Sequence, residues 1–400
     1  GAIRPRIMAF MEDLAQALWK VGLPSKTRHN EVAPAQFEIA PIYERLNIAI
    51  DHNLICMELM RQIADKHGLV CLLHEKPFAG VNGSGKHNNW YVVGTDGKNW
   101  LHPGSNPHEN AKFLFTLCAV IKAVDAHADL LRASVASPGN DHRLGANEAP
   151  PAIISIFLGD QLTDIVEQIE KGEPKSAKSG GTIQIGVDVI PTLPRDATDR
   201  NRTSPFAFTG NKFEFRALGS NMNPAAANVV LNTIVAEAMD EMATQLEADL
   251  KAKKDFNKSL QAVLQAIIKK HKRVVFNGDN YTAEWHKEAE KRGLPNKKTT
   301  PEALKAYETD TAVRLFEKYA VLTKRELLSR YDIYMHNYKS VLMYETECAK
   351  TIAETQILSA ALQYQDSLAQ TVKAVADAGG KAKTAKDALD VVSGLIDELA

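Results

Sequence analysis

KPFAGVNGSGKHNNW, residues 76–90, places three glycines directly before His87. Glycine has no Cβ, so these positions let the backbone turn sharply and approach a ligand closely. Two short apolar runs flank the loop, Leu69–Leu73 (LVCLL) and Trp90–Val93 (WYVV). Runs of this length, rich in β-branched and aromatic residues, are typical of strands. The sequence therefore predicts two strands joined by a ligand-binding loop that carries a possible metal ligand.

This loop also resembles the start of a phosphate-binding P-loop. Gly80–Lys86 fits the pattern GxxxxGK, but His87 stands where that motif has Ser or Thr. A P-loop also opens a helix, whose N-terminal amides hold phosphate, and the residues after His87 are strand-like. The pattern therefore favours a glycine-rich loop that is not a P-loop.

Composition narrows the function classes. The formal net charge of −1 gives no electrostatic reason to expect binding to nucleic acid or to a membrane surface. No apolar run approaches the roughly 18–20 residues of a membrane span. The 4 cysteines lie far apart in the chain, which fits reduced thiols in a cytoplasmic protein better than a disulfide framework or a zinc site.

The chain of 400 residues is long enough for more than one domain and shows two regimes. Up to Lys253 strand-like and helix-like pieces alternate, whereas beyond it glycine becomes rare and Lys, Glu, Ala and Leu recur at helical spacing. The sequence predicts an α+β region at residues 1–253 and a helical bundle or assembly region at residues 254–400. Besides the two strands that flank the glycine loop, the sequence predicts strands at Gln36–Ile42, Thr182–Val189 and Lys212–Ala217.

Two glutamates stand in the segment RHNEVAPAQFEIAP, residues 28–41. Glu31 and Glu38 would face opposite sides of a straight strand, because their separation is odd. Pro34 can bend the chain, so both carboxylates could still reach one cavity. Solvated or paired glutamates are the alternative.

A polar loop, SPGNDHRLGANEAPP, covers residues 137–151. It offers a cation, Arg143, and a carboxylate, Glu148, to a site over which it could close. An ordinary surface loop explains the same composition.

A further segment, RNRTSPFAFTGNKFEFR, covers residues 200–216. Glu214 and Arg216 share one face of a strand, while Phe213 and Phe215 face a core. Arg202 precedes this strand. A solvated sheet face is the alternative to a charged site.

Together these segments supply the carboxylates of Glu31, Glu38 and Glu214, the imidazole of His87 and several guanidinium groups. Carboxylate oxygens with few nitrogens and no thiolates favour Mg²⁺ or Mn²⁺. Divalent metals beside arginines suit phosphoryl transfer from ATP, because charge on the moving phosphoryl oxygens must be neutralised.

The motifs NEVAPAQFE, KPFAGVNGSGKH, RLGANEAP and NRTSPFAFTGNKFEFR occur here in the order found in glutamine synthetases, and their wording closely resembles the type III branch. The match covers about residues 5–240. The resemblance implies a catalytic domain with a curved antiparallel sheet flanked by helices, followed by a helical C-terminal region. It also implies the reaction: ATP phosphorylates the side chain of glutamate, and ammonia then displaces phosphate to give glutamine.

By this resemblance, Glu31 and Glu38 correspond to ligands of the metal that organises glutamate and the ammonium site. His87 and Glu214 correspond to ligands of the metal on the ATP phosphates. Glu148 corresponds to the flap carboxylate that shields the intermediate from water and takes a proton from ammonium.

The other positions carried over by resemblance are expected to contact substrate and phosphate: Asn82, Gly83, Arg143 and Arg216 for glutamate, Arg202 for the transferred phosphoryl group, and Lys212 as a substitute cation near the phosphates. Arg143 and Arg202 are expected to take part in catalysis beside Glu148. The expected partners are glutamate, ammonium, ATP and further copies of this chain in a double-ring homo-oligomer.

Three departures from the family pattern stand out. A metal-binding GxExE-like strand and the small N-terminal domain have no counterpart here, Ala207 replaces an arginine of many relatives, and Asn88–Tyr91 differ from commoner branches. We therefore expect an internal piece of a longer enzyme that is inactive alone. Two alternatives stay open: a ligase that joins glutamate to another amine, and a catalytically inactive regulatory or scaffolding homologue.

Overall fold

The computed structural model of the protein describes residues 2–104, 107–172, 182–183, 193–194 and 202–400. The chain divides into two compact units, Gly1–Tyr334 and Met335–Ala400. The boundary expected after residue 253 as a functional division stays a prediction. Within the described residues, none of the helices combines the length and apolar character that a membrane-spanning segment requires.

Helices dominate the chain. Their bounds are α1 Pro5–Lys20, α2 Leu46–Lys66, α3 Ala111–Ala126, α4 Ala128–Ala133, α5 Pro138–Arg143, α6 Gly159–Lys171, α7 Ala225–Lys251, α8 Phe256–His271, α9 Ala283–Lys291, α10 Thr300–Leu304, α11 Asp310–Lys318, α12 Lys324–Ile352, α13 Leu358–Asp377 and α14 Lys383–Leu399. The strands are β1 Ser25–Asn30, β2 Phe37–Pro41, β3 Gly85–Trp90, β4 Ile156–Phe157, β5 Thr182–Ile183, β6 Leu193–Pro194, β7 Phe206–Phe208 and β8 Phe213–Gly219.

The main sheet of the described chain has the order β3-β8-β7-β4. Strand β8 is antiparallel to both of its neighbours, β3 and β7, whereas β4 joins β7 in parallel. A separate antiparallel hairpin joins β1 and β2, and β5 pairs with β6. This open sheet with helices around it confirms the predicted α+β fold.

Strand β8 is the centre of the core, because all its residues are buried. Phe213 stacks on Phe206 with ring centroids 4.9 Å apart, and Phe215 meets Phe206 edge-on at 5.6 Å. The two phenylalanines therefore face a core, as their alternation predicts. The opposite side of the strand, which carries Glu214 and Arg216, is buried too, so the solvated sheet face considered as an alternative is wrong.

Helix α3 is apolar on most of its surface, and it packs against α7 and α8. Helices α1 and α2 form a smaller layer whose shared core is Leu14, Leu18, Leu23, Cys56 and Ile63. A helix that is apolar over most of its surface needs partners on several sides, whereas an amphipathic one such as α1 needs one. The sheet and the helical layer thus form one compact unit.

The unit Met335–Ala400 is helical. Its helices α13 and α14 form an antiparallel pair joined through Gly379, whose φ of 80° suits glycine best. Gln365 Nε2 donates to Ser393 Oγ at 2.8 Å across the pair.

Two predicted strands differ from the structure. Leu69–Leu73 is irregular, and Val70 and Leu72 are exposed, so the expected strand before the glycine loop is wrong. The strand after the loop begins at Gly85 rather than at Trp90. Of Thr182–Val189, the structure describes a strand at Thr182–Ile183, and the rest lies outside the described residues.

Candidate active site

The β1–β2 hairpin carries an imidazole between two carboxylates. His29 Nε2 lies 2.6 Å from Glu31 Oε1 and 3.2 Å from Glu38 Oε2. Ligand atoms of these three residues all lie within 4.8 Å of one another. The chain reverses between the two glutamates, with Ala35 at a φ of 57°, so their odd separation does not keep them apart. The bend near Pro34 that the sequence allowed is what brings both carboxylates to one place.

The pKa values of Glu31 and Glu38 shift in opposite directions. For Glu31, partial burial raises the pKa, but hydrogen bonding with Glu38 and the attraction of His29 outweigh it, and the net pKa is lowered. For Glu38, burial and the neighbouring Glu31 raise the pKa. Two carboxylates this close repel each other when both are ionised, so a cation would relieve the repulsion. Carboxylate oxygens with one imidazole suit a divalent metal.

The glycine loop is joined to this hairpin by Gln36. Its amide nitrogen donates to Gly83 O at 2.9 Å and to Ser84 Oγ at 2.8 Å. Ser84 N in turn donates to Glu75 O at 2.7 Å. A Cβ on Gly83 would lie 2.5 Å from Glu75 O, so the chain approaches too closely here for any other residue.

The other two metal-ligand candidates, His87 on β3 and Glu214 on β8, contact each other across these paired strands. His87 Nδ1 lies 3.1 Å from Glu214 Oε1, and Arg216 donates to Glu214 Oε2 from Nε at 3.0 Å and from Nη2 at 2.7 Å. The side chains of Glu214 and Arg216 are each 4% exposed. Burial raises the pKa of Glu214, but His87 and Arg216 outweigh it and lower that pKa to about 2. This carboxylate is therefore ionised and holds negative charge inside the protein.

His87 interacts electrostatically with three carboxylates. Its charge acts on Glu31 and on Glu38 as well as on Glu214. The register of β3 against β8 shifts between Lys86 and Asn88, next to this histidine. The structure thus groups the four residues that the sequence predicts as metal ligands in two pairs, Glu31 with Glu38 and His87 with Glu214, and their roles as ligands stay predictions.

Arg143 lies beneath this site rather than in an open pocket. It is 4% exposed, and it donates to Arg216 O and Leu218 O, each at 3.0 Å, and to Asn140 Oδ1 at 3.2 Å. Burial lowers its pKa to about 10, against the attraction of the buried carboxylate of Glu75. Arg143 therefore holds the backbone of β8 in place. Direct contact with glutamate stays a prediction.

The two polar residues expected at the mouth of the site meet each other. Asn82 Nδ2 donates to Glu148 Oε2 at 2.7 Å, and both residues are exposed or partly exposed. Glu148 has a φ of 55°, in the left-handed region that side chains rarely adopt. Residues 138–143 of the predicted polar loop are helical, as α5, and Glu148 lies in the loop that follows this helix. The glycine loop and this shorter loop therefore touch at the carboxylate that the resemblance assigns to the flap.

Arg202 and Lys212 are not joined to the cluster. Arg202 is exposed, and Lys212 lies in the turn between β7 and β8, where its carbonyl accepts from Thr209 N at 2.8 Å. In the part of the chain that the structure describes, neither side chain hydrogen-bonds to the carboxylates above. Their phosphate contacts stay predictions.

Sequence reasoning missed two residues of the site. His29 completes the hairpin cluster, and its place two positions before Glu31 was the signal that could have found it. Glu75 directly precedes the glycine loop and is 3% exposed, but a lone glutamate in a sequence gives no indication of burial.

Comparison with known proteins gives consistent results. Residues 4–154 match a family model described as "Glutamine synthetase, catalytic domain", and residues 259–376 match one described as "Glutamine synthetase C-terminal domain". The chain is 47% identical to the type-3 glutamine synthetase of Dictyostelium discoideum, over 94% of this chain and 51% of that protein. It is 46% identical to a glutamine synthetase of Butyrivibrio fibrisolvens, over 93% of this chain and 53% of that protein.

Among solved structures, one titled "Apo GmaS without ligand" superposes with a TM-score of 0.51 at 16% identity. The alignment covers 84% of this chain and 61% of that one, and at this identity it supports the fold alone. The chain spans about half the length of the curated relatives it matches.

Proposed function

Since the chain belongs to the glutamine synthetase family, we propose that this protein is a ligase that joins ammonia to glutamate in an ATP-dependent reaction. The observation that carries the proposal is a pair of side-chain clusters. Glu31 and Glu38 meet at His29, and Glu214 meets His87, which also interacts electrostatically with both hairpin glutamates. These residues come from three distant parts of the chain, and Glu31 and Glu38 are close enough that a cation would relieve the repulsion between them.

The donor set fits Mg²⁺ or Mn²⁺. Glu31 and Glu38 would hold one ion and His87 and Glu214 another, with His29 beside the first. When bound, such ions neutralise charge on glutamate and on the ATP phosphates. The rigid side of the site is Glu214, which Arg216 holds in one orientation through two hydrogen bonds to the same oxygen.

The chain's own groups account for the remaining requirements. The reaction forms a γ-glutamyl phosphate, which water would destroy, so the site must close. Glu148 stands at the contact between two loops, where it excludes water and accepts a proton from ammonium. Asn82 orients that carboxylate through the 2.7 Å hydrogen bond. Arg216 binds glutamate, and Arg202 and Lys212 approach the phosphates from the exposed side.

A Glu148→Gln variant of the complete gene product tests the assignment. We expect glutamine formation to fall at least a hundredfold, because a general base typically contributes about 10²–10⁴-fold. Phosphate release with ATP, glutamate and Mg²⁺ should persist, since phosphoryl transfer from ATP to glutamate precedes the proton transfer from ammonium. Glu247→Gln, at an exposed position of α7, is the matched control and should leave both rates unchanged.

If the Glu148→Gln variant forms glutamine at the wild-type rate, Glu148 does not have the proposed flap role. Absence of glutamine formation in the wild-type protein, under conditions where it forms a glutamate adduct with a primary alkylamine, would favour the ligase for another amine.

Assembly and location are part of the same proposal. Helices of the unit Met335–Ala400 expose large apolar side chains, among them Met343, Tyr344 and Ile357, which supports contact with further copies of the chain in a homo-oligomer. The cysteines of the chain are free thiols, which supports a cytoplasmic location. Sedimentation of the complete gene product measures the assembly.

A further inference from the structure

The pairing of β1 with β2 places an imidazole beside two carboxylates through the register of the backbone. His29 lies directly opposite Glu38 in this antiparallel pair. Glu31, two residues after His29, continues the pairing, because its backbone N donates to Gln36 O at 2.9 Å. Side chains two residues apart on a strand share a face of the sheet, and so do those of directly opposite residues. Strand pairing therefore directs all three side chains to one face of the hairpin.

The ligand atoms of these side chains have the spacing of neighbouring positions around a cation. His29 Nε2 lies 2.6 Å from Glu31 Oε1 and 3.2 Å from Glu38 Oε2, and ligand atoms of all three residues lie within 4.8 Å of one another. Two adjacent ligand atoms of an octahedral ion with bonds of about 2.1 Å lie about 3 Å apart. One ion can therefore contact the imidazole nitrogen and both carboxylates after small movements of the side chains.

The hairpin cluster is open to solvent on one side and tied to the glycine loop on the other. The side chains of His29 and Glu38 are 47% and 51% exposed. Gln36, in the turn of the same hairpin, donates from its amide nitrogen to Gly83 O and to Ser84 Oγ. Three protein ligands leave about half of an octahedral shell for water or substrate, as a catalytic metal site requires.

The nitrogen donor determines which ion this cluster prefers. Mg²⁺ prefers oxygen ligands and gives up its water reluctantly, whereas imidazole is a ligand that first-row transition ions accept readily. Mn²⁺ accepts both carboxylate oxygens and an imidazole nitrogen, so the nitrogen of His29 favours Mn²⁺ over Mg²⁺. A site built from carboxylates alone would lack this preference, because all its donors are oxygens.

We propose that His29 Nε2 is a direct ligand of the divalent cation held by Glu31 and Glu38, and that it makes this site selective for Mn²⁺ over Mg²⁺. The proposal rests on the function proposed above, and it deepens that function by naming the ion of the hairpin site and the residue that selects it. The family resemblance assigns Glu31 and Glu38 to this ion and gives His29 no role.

Calorimetric titration of the metal-free complete gene product with Mn²⁺ and with Mg²⁺ tests the selectivity, in wild type and in His29→Gln. We expect the Kd for Mn²⁺ to rise about tenfold or more in His29→Gln, because losing even an outer partner of a metal site typically costs about 10–100-fold in affinity. The Kd for Mg²⁺ should change by less than about threefold, because Mg²⁺ gains little from a nitrogen donor. His336→Gln, at an exposed histidine of α12, is the matched control and should leave both constants unchanged.

Pulsed electron paramagnetic resonance of bound Mn²⁺ tests the bond itself, because a directly bound nitrogen modulates the electron-spin echo. The spectra are recorded in a His87→Gln background, so that His29 is the imidazole that remains in the two carboxylate clusters. We expect nitrogen modulation in His87→Gln and its loss when His29→Gln is added. Thermal unfolding in EDTA verifies that both variants are folded.

Equal or tighter Mn²⁺ binding in His29→Gln overturns the proposal, and so does an absence of nitrogen modulation in folded His87→Gln. An equal loss of Mn²⁺ and Mg²⁺ affinity overturns it as well, because the imidazole would then support the hairpin rather than select the ion. The two proposals fail separately. A wild-type protein that makes no glutamine refutes the proposed reaction, whereas its Mn²⁺ titration still decides the role of His29.

Discussion

Replacing Arg216 with methionine tests the inference that a buried charge pair holds the centre of the site. Arg216 and Glu214 are each 4% exposed and share two hydrogen bonds of 3.0 and 2.7 Å. Methionine has an apolar side chain of length similar to that of arginine, but it leaves the Glu214 carboxylate without its guanidinium partner. Breaking one partner of a buried pair typically costs about 3–5 kcal/mol, against about 0–1 kcal/mol for an exposed pair.

This loss of unfolding free energy corresponds to a decrease in the melting temperature. Unfolding entropy near the midpoint is about 2.1 cal/mol/K per residue, so a unit spanning Gly1–Tyr334 changes stability by about 0.7 kcal/mol for each degree. We therefore expect Arg216→Met to lower the melting temperature by about 4–7 °C. The assay is thermal unfolding followed by circular dichroism in EDTA, so that no cation replaces the guanidinium.

Two companion variants make the result specific. Arg202→Met, an exposed arginine on the neighbouring segment, should shift the midpoint by less than about 1 °C. The double variant Glu214→Gln with Arg216→Met should recover much of the loss, because it removes both charges. Equal losses for Arg202→Met and Arg216→Met, or no recovery in the double variant, would refute the reasoning.

Three further outcomes follow from packing and burial. Gly219→Ala should destabilise by about 1–3 kcal/mol in chemical denaturation, because its Cβ would lie 2.3 Å from Glu75 Oε1. Gly394→Ala, where a Cβ meets nothing within 4 Å inside a helix, should instead stabilise by up to about 1 kcal/mol, and a loss there would contradict the helix-propensity argument. In native protein, peptide mapping after alkylation should find Cys348 labelled and Cys118 unlabelled, since burial raises the pKa of Cys118 to about 12; early labelling of Cys118 would show that α3 opens.

Much of the fold could be predicted from local pattern. The helical region predicted from the spacing beyond residue 253 is present, and one of its helices, α10, starts at Thr300 with a proline in its first turn and a capping box at Thr299. The apolar run Leu69–Leu73 misled the prediction, because composition indicates a strand but pairing needs a neighbour. The family resemblance is confirmed by the comparisons.

The site residues show the same contrast: local patterns predicted some of them, and contacts between distant parts of the chain decide the others. Glu214 and Arg216 share a face because strand alternation is a local rule, and sequence reasoning predicted it. The reversal that brings Glu31 to Glu38 depends on a turn that proline permits but does not specify. The segment Phe276–Asn277 could not be placed beside β4 from the sequence, because its hydrogen bonds to Ile156 and Leu158 join residues more than a hundred positions apart.

The glycines around Glu75 have an evolutionary consequence. A methyl group on Gly139 would sit 2.2 Å from one carboxylate oxygen of Glu75, and one on Gly219 would sit 2.3 Å from the other. The three positions are therefore epistatic: alanine at either glycine requires a smaller side chain at position 75, and a methyl group on Gly219 would also lie 2.6 Å from Glu75 Cγ. Homologues that lack an acidic residue at position 75 should show relaxed selection at both glycines, so this trio is expected to covary as a single inherited unit.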